Sequence, residues 1–141
     1  MRNATAKPEP RTVRAINQTR GSMLCPRLEE AAGHLARSRG LIGRDRLKPG
    51  EGLLIVRGRF EPFLWMHMFF VRFPIDIVFV DRGGVIVHID RALRPWRLSS
   101  IVFGAVQALE LPAGACDASG TRIGDSIRFE ECGRDEYNER R

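Results

Sequence analysis

The chain has 141 residues, of which 43% are apolar and 28% are charged. That length supplies one substantial hydrophobic core but not two, and no run approaches the roughly 18 apolar residues of a membrane-spanning helix. Residues 1–48 carry 11 basic and four acidic side chains, whereas residues 49–141 carry 12 and 13. The net charge of +6 therefore comes from the N-terminal third, which could attract nucleic acid, anionic lipid or an acidic partner.

The cysteines and the first residues of the chain indicate a compartment. Cys25, Cys116 and Cys132 form no Cys-x-x-Cys pair, and one thiol is left over in any disulfide scheme. The first 24 residues contain no apolar run of about 7 to 15 residues, which is the core of a secretory signal. We therefore expect reduced thiols and a cytoplasmic location of the bacterial type.

The N-terminal third predicts a strand followed by a helix. Residues 1–10, with two prolines, predict a disordered lead-in to a single domain over residues 11–131. Apolar and polar residues alternate over 12–17, which predicts a strand. From Pro26 onward the apolar residues have the spacing of one helix face, and Gly40 stands where the turn after that helix belongs. These apolar residues are Leu28, Ala31, Ala32, Leu35 and Ala36.

Beyond residue 52 the periodicity becomes extended, with short apolar runs rich in β-branched and aromatic residues. The predicted strands are 53–56, 63–70, 75–81, 85–90, 105–111 and 126–131, with a glycine hairpin turn at 82–84 and a polar tail at 132–141. Six to seven strands and one main helix predict an α+β, β-rich fold. We expect a small, mostly antiparallel barrel or rolled sheet with the helix against one side.

Several segments, taken in order, resemble a known family. They are Arg-Gly-Leu-Ile-Gly-Arg at 39–44, the segment 67–81 with Pro-Ile-Asp at 74–76, Ala-Leu-Glu-Leu-Pro-Ala-Gly at 108–114, and Gly-Asp at 124–125. Together they resemble the domain-of-unknown-function family one-nine-two over about residues 12–130. Phe69, Phe70 and Val71 stand where that family has Lys-Asn-Thr. The resemblance implies a small β-rich fold and no established activity.

Two carboxylates lie on strand faces that are otherwise apolar. Alternation places Asp76 beside Val78 and Val80, and Glu110 beside Val106 and Ala108. A buried carboxylate needs backbone N–H groups or an arginine as partners. The pair could form a substrate-binding or acid–base site, or a structural ion-pair network that fixes strand register, and the second interpretation is favoured.

Several other residues are typical of turns. Gly114 follows Leu-Pro-Ala, and Gly124 with Asp125 precedes a predicted strand, where an aspartate side chain can bond backbone amides. Together with Gly40, these residues predict structural turns rather than a site.

The sequence predicts neither a metal site nor a catalytic set. His34, His67 and His88 share no metal-ligand spacing, and Ser99-Ser100 lacks the frame of a nucleophile elbow. We therefore predict no metal, no cofactor and no catalytic residue.

The densest chemical signal is aromatic. Six rings fall within residues 60–73, and because a strand cannot turn all of them inward, some should line a groove or an interface, although core packing is favoured for most. The candidate ligand-binding residues are His67, Met68, Arg72, Asp76, Arg94, Trp96 and Glu110.

The hypothesis that these residues favour is a non-catalytic binding module with an aromatic and arginine-lined groove for a protein or a small anionic ligand. One alternative is a hydrolase-like enzyme using Asp76 and Glu110, with His67 as a further candidate. The other is nucleic-acid binding through the basic N-terminal third, which is less favoured because an arginine-rich composition explains the charge equally well.

Overall fold

The computed structural model describes residues 10–31 and 40–133, and the chain there forms strands and one short helix. The strands are β1 (Thr12–Asn17), β2 (Ser22–Ala31), β3 (Glu51–Val56), β4 (Phe63–Leu64), β5 (Ile75–Asp81), β6 (Ile86–Leu93), β7 (Val102–Phe103), β8 (Ala105–Pro112) and β9 (Ile127–Glu131). The helix, α1 (Ala115–Ser119), lies between β8 and β9.

Seven of the strands form one sheet in the order β6-β5-β8-β3-β2-β1-β9, and β4 pairs with β7 in a separate ribbon. Neighbours in the large sheet are antiparallel except β2 and β3, which are parallel. The sheet curls into a half-barrel, so the predicted α+β, β-rich fold with a rolled, mostly antiparallel sheet is confirmed.

The two edges of the curled sheet meet at one end. The tip of the β5–β6 hairpin contacts the start of β9, where Ile127 donates its N–H to the Gly84 carbonyl and Ile86 donates its N–H to the Asp125 carbonyl. The Asp81 carboxylate shapes this tip by accepting the N–H groups of Gly83 and Val85, each at 2.9 Å. Because the edge groups bond each other there, the sheet is closed at that end.

Each face of the sheet carries its own core. The inner face packs Val78, Val80, Leu109 and Leu111 against the remaining inner residues of the roll and against Cys116 of α1. The outer face packs Ile75, Ile77, Phe79, Leu53 and Ile55 against the segments that cross it, which contribute Leu41, Leu47, Leu64, Met68 and Val71. The β5 alternation expected from the sequence is the one found, and it separates the two cores.

The prediction of a helix beginning at Pro26 is wrong for residues 26–31. Residues up to Ala31 belong to β2, between β1 and β3, and residues 32–39 lie outside the described part. Val13 pairs with Leu28 and Ala15 pairs with Cys25, so an extra residue in β2 makes a bulge around Pro26. A bulge tolerates a proline because no ladder hydrogen bond is needed from it. Helix-like spacing was overridden by pairing with strands distant in sequence.

The strand predicted at 63–70 is wrong beyond Leu64. Only β4 is regular there; the following residues form a bridge at His67 and then a turn. The strands predicted at 12–17 and 75–81 have the observed bounds, and the others differ at their ends. The lead-in at 1–9 and the tail at 134–141 lie outside the described residues.

Gly52 is required by a close approach between strands. A Cβ atom there would lie 2.7 Å from the Glu110 carbonyl oxygen and 2.8 Å from methyl groups of Leu28 and Leu111. We expect Gly52→Ala to lower the free energy of unfolding by about 1–3 kcal/mol, because the packed neighbours must move apart. Chemical denaturation measures this loss.

The matched control for this substitution is Gly133→Ala, since an added Cβ at Gly133 meets nothing within 4 Å. It should change the free energy of unfolding by less than about 0.5 kcal/mol. Equal stability of the two variants would contradict the close approach at Gly52.

Candidate functional site

Asp76 is a buried structural anchor. Its carboxylate accepts the backbone N–H of Ala92 at 2.9 Å, of Gly114 at 3.2 Å and of Cys116 at 3.1 Å. These donors come from the end of β6, the turn after β8 and the start of α1. Of the partners considered from the sequence, the backbone N–H cluster is the one found, and it occupies both carboxylate oxygens. Asp76 thus has the contacts of a fold-determining residue.

Glu110 points to the opposite side of the sheet. In the β5–β8 ladder Asp76 lies opposite Leu111 and Ile77 lies opposite Glu110, so the two carboxylates occupy alternate positions. Asp76 faces the inner core and Glu110 faces the outer core. The hypothesis that they act as a catalytic pair on one substrate is therefore wrong, because the pleat turns successive side chains to opposite faces.

The predicted turn residues have structural contacts. The Asp125 carboxylate accepts hydrogen bonds from Asn17, Arg20 and the Arg122 N–H at 2.9–3.1 Å. Burial opposes ionisation, but these bonds from Arg20, Asn17 and Arg122 outweigh it and lower the pKa of Asp125 to about 2. Gly114 and Gly124 have φ of 93° and 94°, which glycine adopts readily.

Glu110 forms the floor of a cavity of about 270 Å³ on the outer face of the sheet. Its side chain is 7% exposed, and across the ladder it is flanked by Ile77 and Leu53. Among the described residues no group hydrogen-bonds its carboxyl. The cavity walls expose polar and apolar surface in about equal measure, and a second carboxylate is among them. The cavity is lined by Gly40, Leu41, Ile42, Ile55, Glu61, Trp65, Met66, His67, Val71 and Glu110.

Burial changes the acidity of the Glu110 carboxyl. Desolvation raises the pKa of Glu110 from 4.5 to about 7, although the nearby positive charge of Arg44 acts in the opposite direction. Arg44 itself pairs with Glu29 at 3.7 Å. Burial thus brings the pKa of this carboxyl toward neutral pH, and acids and bases at functional sites often have pKa values shifted in this way.

An aromatic rim continues from the mouth of this cavity; we use the term for Trp65, His67, Phe69, Phe70 and Trp96. Phe69 stacks on His67 with ring centroids 5.1 Å apart, and Trp96 contacts Phe69 and Phe70 at 6.0 and 4.8 Å. Trp65, Phe70 and Trp96 are 44%, 63% and 60% exposed. Core packing was expected for most rings of residues 60–73, and that expectation is wrong: Leu64, Met68 and Val71 fill the core there instead.

Backbone pairing holds the rim in place at a conformational cost. Met68 donates its N–H to the Arg97 carbonyl and Trp96 donates its N–H to the Met68 carbonyl, both at 2.8 Å. Phe70 and Trp96 have φ of 63° and 65°, a left-handed conformation that bulky residues rarely adopt. Such strain persists where the surrounding structure fixes it, and it is concentrated at ligand-binding sites.

The structure brings together only some of the candidate ligand-binding residues. His67 and Glu110 line the cavity, and Arg72 and Trp96 line a more open depression that adjoins it at Ile42 and Val71. Met68 is a core residue, Asp76 lies on the other face, and Arg94 is exposed. Arg72 pairs with Asp45 at 3.0 Å. The sequence did not single out Trp65, Leu41 or Glu61, whose positions depend on non-local packing.

A cluster of His88, Asp90 and Ser100 also depends on tertiary structure. Asp90 Oδ1 and Ser100 Oγ both contact Nε2 of His88, at 2.9 and 3.0 Å, and Ser100 Oγ bonds the same Oδ1 at 2.8 Å. In a hydrolytic triad the acid and the serine contact different imidazole nitrogens. The shared nitrogen, and the Ser100 N–H bonded to Asp90 at 2.7 Å, make this cluster an attachment of the 98–101 segment to β6.

Neither a metal centre nor a membrane-crossing helix is found in the described residues. No three histidine, cysteine, aspartate or glutamate side chains there are grouped so as to hold a metal ion; His34 lies outside that part. No helix within the same ranges has both the length and the apolar character to cross a membrane. The thiols of Cys25, Cys116 and Cys132 are free.

The fold and the site define the class of protein: a curled, β-rich sheet with a cavity on its outer face and a buried carboxyl at the bottom of that cavity. Sequence comparison identifies its family. Residues 15–129 match the DUF192 family, described as "Uncharacterized ACR", and the chain belongs to that family. It is 33% identical over 118 residues to a UPF0127 protein of Thermococcus sibiricus, covering 82% of this chain and 73% of the relative. A UPF0127 protein of Pyrococcus abyssi is 26% identical, with 81% and 95% covered.

Two solved structures have the same fold. One, from Sinorhizobium meliloti, is described as a proposed transcription regulator; it has a TM-score of 0.73 and 25% identity, with 89% of this chain and 98% of that chain covered. The other, a protein of unknown function from Novosphingobium aromaticivorans, has a TM-score of 0.73 and 20% identity, with 91% and 98% covered. The fold is therefore shared, while the family remains without an assigned activity.

The Asp76 anchor generates a stability prediction. Asp76→Asn keeps the shape but replaces an acceptor oxygen with an NH2 group that faces a backbone N–H. We expect the free energy of unfolding to fall by on the order of 3 kcal/mol, since a buried donor then loses its partner. Asp117→Asn is the control, because that carboxylate is 80% exposed and pairs only at the surface. Similar losses for the two variants in urea denaturation would contradict the anchor.

Glu110 predicts a pH dependence of stability. Its pKa is higher in the folded state, so the protonated form is favoured by folding, and this contribution is complete below pH 4.5 and lost as the pH rises to about 7. The loss amounts to about 3 kcal/mol for a shift of this size. In Glu110→Gln the corresponding slope should be absent. Unfolding measured from pH 4.5 to 8 tests this, and parallel curves for wild type and variant would disprove it.

Proposed function

We propose that the protein is a non-catalytic binding module whose ligand enters the cavity above Glu110. The supporting observation is a concave space in which a buried carboxyl, a second carboxylate and an imidazole lie among apolar side chains, a combination that can both bury and orient a ligand. Its volume of about 270 Å³ suits a small organic molecule or one side chain of a partner. The exposed rings of the aromatic rim would contact the part of the ligand outside the cavity.

The charges around the cavity favour one kind of ligand over another. Glu110 and Glu61 both line it, whereas Arg72 lies in the adjoining depression and is paired with Asp45. A small anion, one of the ligands expected from the sequence, would approach two carboxylates, and no arginine or lysine is among the described residues that line the cavity. The proposal therefore retains the binding module and the aromatic part of the groove, and it replaces an anionic ligand with a neutral or cationic one.

Nucleic-acid binding has less support. The description of the Sinorhizobium meliloti protein as a proposed transcription regulator concerns that protein. In the described part of this chain's basic third, Arg11, Arg20 and Arg44 each pair with a carboxylate, which reduces the positive potential available to phosphates. A cytoplasmic location remains part of the proposal, supported by three free thiols, two of them buried.

Fragment binding to the full chain tests the binding module. We expect amide chemical shifts in two-dimensional NMR to change around the cavity and the aromatic rim when small neutral, cationic and anionic fragments are added one at a time. Trp65 and Trp96 are the two tryptophans of the chain and both belong to the rim, so their indole signals and fluorescence report on occupancy directly.

Substitution of the rim provides the control. Trp65→Ala should weaken the best fragment by about fivefold or more, the usual effect of removing an aromatic contact residue. Ile123→Ala should leave binding unchanged, because Ile123 is 59% exposed and belongs to neither the cavity nor the rim. If no fragment of any charge shifted the cavity residues, the proposed function would be excluded.

A further inference from the structure

The carboxyl of Glu110 is a buried acid to which no described residue donates a hydrogen bond. It is more than nine-tenths buried, and it lies between Leu53 and Ile77 on neighbouring strands. Within residues 10–31 and 40–133 no donor reaches it. Its oxygens are not sealed from the cavity, so a molecule that enters the cavity can supply the hydrogen bonds that buried polar groups nearly always make. Glu110 differs in this from Asp76, which has three N–H donors.

We infer that the missing partner is the ammonium group of a ligand, and that the cavity binds a primary alkylammonium ion at Glu110. This inference rests on the proposed binding function and specifies its ligand chemistry. The ammonium would donate hydrogen bonds to the carboxylate at the floor. The alkyl stem would lie along apolar walls formed by Leu41, Ile55 and Val71.

The walls suit a cation in two further ways. Trp65 lines the cavity, and an indole face attracts an ammonium ion electrostatically. Glu61 adds a second carboxylate to the lining. A charged amine would thus be accompanied by opposite charge in the cavity, which reduces the desolvation penalty of both ions.

Of the described residues, the charged and titratable groups that face Glu110 from the surrounding elements are Arg44, Glu61 and His67. Arg44 acts on Glu110 at a distance and is paired with Glu29, so it is not a lining residue of the cavity. His67 is stacked on Phe69, and its Nδ1 accepts the Phe69 N–H at 3.3 Å. An incoming ammonium ion would therefore require Glu110, the carboxyl at the bottom of the cavity, to be ionised.

Binding should then depend on pH. The pKa of Glu110 is about 7, so below that pH most protein molecules carry a proton on this carboxyl. That proton must pass to solvent before an ammonium ion can bind. The apparent affinity is reduced by the fraction of competent protein. We expect affinity to rise about tenfold per pH unit below 7 and to level off above it, with one proton released per bound ion in the acid range.

The experiment uses the full chain and three probes of similar size: n-butylammonium chloride, 1-pentanol and sodium butyrate. Indole fluorescence and NMR shifts are followed from pH 5.5 to 8. We expect n-butylammonium to bind in the millimolar range with the stated pH dependence, 1-pentanol to bind more weakly and independently of pH, and butyrate not to bind. An acetylated, amidated Gly-Lys-Gly peptide forms a fourth arm: tighter binding than n-butylammonium identifies a partner's lysine as the source of the amine, and weaker binding identifies a free amine.

Glu110→Gln should weaken the binding of n-butylammonium at least about tenfold at pH 8 and remove its pH dependence. Glu130→Gln on β9 should leave both the affinity and its pH dependence unchanged. If Glu110→Gln did not fold, Trp65→Leu would serve instead, with a lower affinity and an unaltered pH slope. Preferential binding of 1-pentanol or butyrate, or an ammonium affinity that is flat with pH, overturns the ammonium inference while the binding module stands. If no probe binds in the cavity and no fragment of the panel binds there either, both the ammonium inference and the proposed binding function are overturned.

Discussion

The fold depends on the Asp76 carboxylate, which is bonded by backbone N–H groups from three separate segments. Each segment changes direction there: Ala92 and Gly114 have positive φ, and Cys116 lies in the first turn of α1, the only helix of the described residues. A carboxylate can accept several bonds at once, so one side chain fixes the end of β6, the turn after β8 and the position of α1. Without it the buried N–H of Cys116 would lose its acceptor, and the partly buried hydrogen bonds from Ala92 and Gly114 would also be lost.

The same strand pairing decides the character of the site. With Asp76 opposite Leu111, the register of β5 and β8 is fixed, and Glu110 must project to the other face beside Ile77. A shift of one residue would exchange the two faces of the whole strand. The inner acid is therefore fully bonded by the backbone, while the outer acid lies beneath crossing loops that leave a cavity above it. Two similar sequence features thus have separate roles, one structural and one proposed as functional.

The aromatic rim is maintained against two unfavourable effects. Large apolar rings are exposed to water, and the backbone at Phe70 and Trp96 is in a left-handed conformation. The pairing of residues 66–68 with 96–99 imposes that geometry, and the bond from Met66 N–H to Ser99 Oγ at 2.7 Å reinforces it. Stability alone would favour burial of these rings. Exposed apolar patches of this kind are typical of interaction sites, and the proposed binding function rests partly on them.

The sequence by itself determined the features that a two-residue repeat encodes: the extent of β1 and β5, the glycine hairpin, the opposite faces of Ile77 and Asp76, and a rolled β-rich sheet. It did not determine that Pro26–Ala31 is a strand, that Glu110 faces a cavity, that His88 meets Ser100, or which rings are exposed. Those outcomes depend on pairing and packing outside the local segment, since hydrogen bonding to β1 and β3 outweighs local helical spacing and packing on the outer core selects the inward side chains. Local periodicity indicates to which face of a strand a side chain points, and only the tertiary structure decides which groups that side chain contacts.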